Sequence, residues 1–163
     1  MIYLSDKDII AFNYQIQKAF ALNCDPQVTD IKLLRSVLHI VKYSTVFGED
    51  QFPDLPTKAG HLWYMLSRYQ IFNNGNKRTA IMTMLGMLFI NQASLDISQE
   101  LITRQLYVLT VETGQDQCTE EDLVRFIKQN LQVNQPKLTL RKVVSYSLSF
   151  KPLNDILATL ATE

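Results

Sequence analysis

Residues 68–79, Arg-Tyr-Gln-Ile-Phe-Asn-Asn-Gly-Asn-Lys-Arg-Thr, concentrate side chains able to grip an anion. A turn of small polar residues, Asn73-Asn74-Gly75, leads directly into an apolar run that reads as a helix. The first N–H groups of a helix lack intrahelical partners and carry partial positive charge, so such an end attracts anions. Gly75 permits close backbone approach, and Lys77 and Arg78 add full charges to form a phosphate cradle. Positive side chains in a first turn oppose the macrodipole, and a bound anion supplies the compensation. The plainer alternative is a capped turn, since Asn and Gly favour such positions for backbone reasons alone. The stretch contains no His, Asp or Glu, so it offers no evident base and no anionic metal ligand.

The elements that must position this turn follow from apolar spacing and end signals. Ser5 with Asp8 three residues on reads as an N-cap opening a helix through Ile9, Phe12 and Ile16, which Asn23-Cys24-Asp25-Pro26 ends. A second helix is expected from Asp30 through Leu34, Val37 and Val41. Phe47 to Pro56 reads as a loop or short extended flap, and a third helix as running from Thr57 to about Tyr69. The run from Asn76 to about Gln92 is apolar nearly all round, which marks a buried central helix. Two further helices are expected over 98–113, where Ser98 would cap, and 119–131, opened by Thr119 with an acidic first turn. Beyond Pro136, apolar and polar residues alternate from Leu138 to Phe150, which predicts a strand; Pro152 ends it, and Leu153, Ile156, Leu157 and Leu160 form one helical face. A lone strand needs an edge partner: Ile2-Tyr3-Leu4, the flap, or another chain.

Composition bounds the classes. The 163 residues, 47% hydrophobic and 20% charged, suit one soluble globular core. Equal acidic and basic counts disfavour nucleic-acid binding by bulk charge. Cys24 and Cys118 have no metal-ligand spacing and read as reduced thiols of a cytoplasmic protein. Residues 1–6 carry no signal-peptide pattern, and 81–90 is too short to span a bilayer, so no membrane association is expected. His61 lies too far along its helix from Gln70 to serve the turn, and His39 reads as a partly buried structural residue. Met82, Met84, Met87 and Trp63 read as core, and Glu49, Asp50 and Asp54 as solvated flap charges, the alternative being a carboxylate lent to a metal or target.

The residues of the turn resemble the Fic/Doc family, specifically its short Doc (death-on-curing) toxin branch, whose signature runs H-x-F-x-[DE]-[AG]-N-[KG]-R. Phe72, Gly75, Asn76, Lys77 and Arg78 match it, and Arg68, Thr79 and Ala80 match the Arg that usually precedes it and the Thr-Ala that follows. The resemblance covers about residues 1–131 and implies an all-α Fic/Doc-like helical bundle over 1–134; the C-terminal strand-helix extension over 135–163, read from the apolar spacing, lies outside the family pattern. It further implies that Asn76, Lys77 and Arg78 bind nucleotide phosphates, with Gly75 allowing close approach, Arg68 an added anion contact or brace, and Phe72 a packing residue. ATP or another nucleotide with Mg²⁺ would be the cofactors. The activity implied is transfer of a phosphoryl or nucleotidyl group to a Ser, Thr or Tyr of a target protein such as a translation factor. An antitoxin protein would be the other partner.

Two positions depart from the signature. Gln70 stands where the family has its catalytic His, and an amide cannot accept a proton near neutral pH. Asn74 stands at the acidic position and would be at most an uncharged, weak metal ligand. The expectation is therefore a Doc-like toxin of a toxin–antitoxin or prophage-derived system with weakened or altered transfer. The alternative is a catalytically inactive Fic-fold module that binds a partner protein or nucleotide. The extension would either cover the domain in cis, as an antitoxin segment does in trans, or build a homodimer through its strand.

Overall fold

The computed structural model describes residues 1–20 and 28–162. In chain order it contains α1 (Asp6–Ala19), α2 (Ile31–Lys42), β1 (Thr45–Val46), β2 (Glu49–Asp50), α3 (Leu55–Arg68), α4 (Asn76–Ile90), α5 (Glu100–Gly114), α6 (Glu120–Asn130), α7 (Leu140–Leu148) and α8 (Lys151–Ala161). The fold is all-α, as expected, with one small hairpin. Every residue from Arg78 to Ile90 is buried, and a helix apolar all round must be surrounded. α1, α3, α5, α7 and α8 pack around α4.

Among the described residues, side chains cap the N-termini of α1, α2, α3 and α6. Ser5 accepts from the Asp8 N–H while the Asp8 carboxylate accepts from the Ser5 N–H, and Thr119 with Asp122 repeats this box at α6. α3 starts at Leu55, two residues before the expected Thr57, because Asp54 caps it and Pro56 is tolerated in a first turn. α5 starts at Glu100 instead of Ser98, whose hydroxyl is held by Asp96. In the flap, β1 and β2 pair Thr45 with Asp50 and Val46 with Glu49 across Phe47 and Gly48, both at positive φ as a tight two-residue hairpin requires. Helix α3 crosses α6 where Gly60 lets Val124 approach, since a β-carbon there would lie 2.6 Å from Val124 Cγ2. Gly60→Ala should therefore cost about 1–3 kcal/mol through forced separation of the two helices; urea unfolding that left the midpoint unchanged would contradict it.

Residues 138–150 are not a strand. Leu140, Val144 and Leu148 recur every four residues, a spacing that fits both the two-residue and the helical period. Among the described residues no strand pairs with them, whereas a helix satisfies its own backbone. The serines that mimicked an alternating polar face fold their hydroxyls back: Ser147 Oγ donates to Val143 O at 2.7 Å and Ser149 Oγ to Tyr146 O at 2.6 Å. With no strand edge, the expected route to a homodimer by strand pairing loses its basis. Residues 2–4 likewise form no strand; Ile2 is held by Asn91, at the end of α4, through both its N–H and its carbonyl.

α7 and α8 sit on the same core as the earlier helices, with Val143, Val144, Leu153, Leu157 and Leu160 buried. A β-carbon on Gly86 of α4 would lie 2.9 Å from the Phe12 ring of α1 and 3.4 Å from Val143, which shows how closely α1 and α7 approach it.

Candidate functional site

The turn before α4 is assembled by hydrogen bonds from three directions. From below, Asn76 Oδ1 accepts the Phe72 N–H at 2.8 Å while its Nδ2 donates to Phe72 O at 2.8 Å and to Gln70 Oε1 at 3.0 Å. From α1, Asn13 Nδ2 donates to Asn74 O and to Thr79 Oγ1, each at 3.0 Å, and Gln17 Nε2 braces Asn13 Oδ1 at 2.7 Å. Alongside, Val28 bridges to Phe72, and Thr29 donates its N–H to Ile71 O and its hydroxyl to Gln70 O. Phe72 is fully buried and anchors the turn, as expected.

Gly75 is the N-cap of α4, at φ 77°, and no side chain caps that helix end. Only glycine takes this conformation cheaply, and a β-carbon would also lie 3.2 Å from both Arg78 Nη2 and Asn13 Nδ2. The open end faces a cleft of about 170 Å³ lined by Ser67, Gln70, Asn73, Asn74, Gly75, Asn76, Lys77, Arg78 and Leu160.

Arg78 is the decisive side chain. It is only 2% exposed, and its Nε and Nη1 are buried with no hydrogen-bond partner. Burial pulls its pKa below the ordinary arginine value, yet an arginine keeps its proton in a protein, so a positive charge stands desolvated at the cleft. Ser67, another lining residue, also has a buried and unpartnered Oγ. Unpaired buried polar groups are rare because each costs free energy. Besides these, Gln17 Oε1, His61 Nε2 and Thr83 Oγ1 are buried without a partner, but only Arg78 and Ser67 belong to residues that line the cleft. The Lys77 chain runs along Gly114, where a β-carbon would stand 3.1 Å from its Cε. That carries it past the C-terminal end of α5, the negative end of a helix dipole.

Other groups are differently employed. Asn76 spends its side chain on the turn. Because the Phe72 backbone dictates which way the Asn76 amide faces, Gln70 turns its oxygen to Asn76, and its remaining polar group is the Nε2 donor. Arg68 is not among the lining residues; it pairs with Asp116 at 3.5 Å. His61 is buried against Glu120 at 3.0 Å beneath the Phe52 ring, away from the cleft. His39, expected to be partly buried, is exposed and packs on Tyr43, because it lies on the solvent side of α2. Asp50 is engaged by Ser44 and Lys58, and Asp54 by α3 and Lys128, so neither reaches the cleft. The Ser44 hydrogen bond is the main reason the Asp50 carboxyl titrates below its ordinary value. Cys118 is a buried free thiol, while Cys24 lies outside the described residues. A larger groove between α5 and α8 carries charges already paired within each helix, Glu100 with Arg104 and Lys151 with Asp155.

A family model described as Fic/DOC family matches residues 3–88, more than half of the chain. The chain belongs to the Fic/DOC family. The match takes in α1 to α3, the turn and nearly all of α4. Comparison with curated proteins finds no match. Against the Mg²⁺ that the Fic/DOC resemblance implies, the cleft fits poorly. Among the described residues its lining holds amides, a hydroxyl and two cations but no carboxylate, and no group of three or more acidic, His or Cys side chains is placed to hold a metal. Magnesium favours carboxylates together with substrate phosphates, and neutral amide oxygens beside Arg78 and Lys77 are a weak substitute.

Sequence reasoning missed Asn13, Gln17, Ser67 and Leu160. The first two carried a signal: they fall on the apolar stripe of α1 formed by Ile9, Phe12 and Ile16, where a polar pair four apart needs a buried partner. Asn13→Leu would strip the donor from Asn74 O and Thr79 Oγ1 and orphan Gln17. We expect a loss of about 2–3 kcal/mol in urea unfolding; a change below roughly 0.5 kcal/mol would mean the clamp is immaterial.

Proposed function

We propose that this Fic/DOC protein binds the phosphates of a nucleotide at the N-terminus of α4 and is a Doc-like toxin with weakened group transfer to a protein hydroxyl. The observation that carries the reading is the buried Arg78 guanidinium with two unpartnered nitrogens at the cleft. In the transfer step the target hydroxyl oxygen bonds to phosphorus, the P–O bond to ADP or pyrophosphate breaks, and the hydroxyl proton passes to water. Lys77, Arg78 and the α4 N–H groups would stabilise charge on the transferring group, the term that dominates phosphoryl chemistry. Gln70 offers no proton acceptor, and this is what slows the reaction. An antitoxin and a target protein are the partners this reading requires, in the cytoplasm. Among the described residues no helix is long and apolar enough to cross a membrane.

Incubation with lysate and ATP labelled at the α or γ position, with and without Mg²⁺, tests it. A weak labelled band that Lys77→Ala abolishes and Gln70→His/Asn74→Asp strengthens is the expected result. The second reading, a module that binds without transfer, is favoured by the engagement of Gln70 Oε1 with Asn76. No band from the wild type, with nucleotide still bound, would establish that reading in place of the first.

A further inference from the structure

The charged side chains that line the cleft, Lys77 and Arg78, are both cations. Lys77 and Arg78 bring full positive charge, the open end of α4 brings N–H groups, and Gln70, with its oxygen taken by Asn76, brings an amide donor. Among the described residues no anionic group faces them. Two of the donors are already desolvated without partners, Arg78 through Nε and Nη1 and Ser67 through Oγ. At about 170 Å³ the cleft is smaller than the 300 Å³ or more usual for whole small-molecule sites, and Leu160 of α8 closes one side.

Resting on the anion-binding reading above, we infer that the cleft holds a diphosphate group directly on nitrogen donors, without a divalent cation, and that Mg²⁺ competes with the protein for it. The physical reason is charge. A diphosphate bound to Mg²⁺ has lost part of its negative charge and several of its oxygens to the metal and its water. Arg78 and Lys77 then meet a weaker anion, and charge-assisted hydrogen bonds are the strongest the cleft can make. In the usual arrangement a carboxylate repays this by holding the cation; here the nearest equivalents are the neutral amides of Asn73 and Asn74. The volume admits the diphosphate of a free pyrophosphate ion or of a nucleotide whose nucleoside remains outside.

The test is calorimetric titration of the full chain with pyrophosphate and with ADP, each in EDTA and in excess Mg²⁺. We expect binding in EDTA and affinity lowered roughly tenfold by Mg²⁺. ADP binding as well as pyrophosphate supports a nucleotide source, and pyrophosphate alone a free anion; both support the inference. Binding that requires or is strengthened by Mg²⁺ would overturn it while leaving the anion-binding reading intact. No binding of either probe in either condition would overturn both. Asn74→Asp supplies the missing carboxylate and should reverse the metal effect on ADP; a variant that still binds better in EDTA would show that carboxylate content does not govern the preference and would count against the inference.

Discussion

Replacing Arg78 by Met should make this protein more stable and unable to bind phosphate. The guanidinium is 2% exposed, and Nε and Nη1 have given up water without gaining a partner. A buried charge in that condition is a net cost, and exchange for an apolar chain of similar length should recover about 1–3 kcal/mol. Met is flexible enough to fill the space beneath Gly75 that Nη2 now occupies. The same exchange removes the strongest donor in the cleft, so pyrophosphate or ADP affinity should fall about 100-fold or more. Opposite movements of stability and binding are what a functional charge produces. Thermal unfolding with and without pyrophosphate reads both at once. The wild type should gain stability from the ligand, whereas Arg78→Met should start higher and gain nothing. A variant that is less stable and still binds would mean Arg78 serves the fold.

Deleting residues 136–163 should leave a chain that does not reach a soluble, cooperatively folded state. Val143, Val144, Leu153, Leu157 and Leu160 are all buried. At about 1.5–3 kcal/mol for each fully buried apolar side chain, their loss approaches 10 kcal/mol, comparable to the whole net stability of a domain. Deletion would also expose the faces of α4 and α5 on which α7 and α8 lie. Gly86 shows why nothing smaller substitutes: α7 approaches α4 so closely there that the exposed surface would be backbone as well as side chain. Solubility on expression and near-ultraviolet circular dichroism measure the outcome. A soluble, folded monomer of residues 1–135 would show that the extension is an accessory, and Leu160 could then be removed from the cleft without consequence for the core.

Much of the architecture was legible because it depends on neighbours in sequence. The box of Ser5 with Asp8 and that of Thr119 with Asp122 each involve a few adjacent residues, whose hydrogen bonds form in the same way wherever the segment sits, and the glycine before an apolar α4 is likewise a signal of neighbouring residues. That Lys77, Arg78 and Gly75 share one cleft was legible for the same reason, since all three lie within the first turn of α4 or at its cap. The C-terminal segment was misread as a strand because a four-residue recurrence satisfies both periods. The choice was made by the neighbouring α1 and α4, which offer Val143, Val144 and Ser147 a surface to pack on and no edge to pair with.

Tertiary structure alone decided three things about the site. It joined Asn13 and Gln17, some 60 residues away in sequence, to the turn, because α1 crosses α4 at that level. It oriented Gln70, since only the folded loop brings Asn76 between Phe72 and Gln70 and thereby consumes the glutamine oxygen. And it left Arg78 dry and unpaired. Charge can be read from a residue's type, but desolvation and the lack of a partner belong to the packing of a whole domain. That packing turns an ordinary basic helix end into a candidate phosphate site.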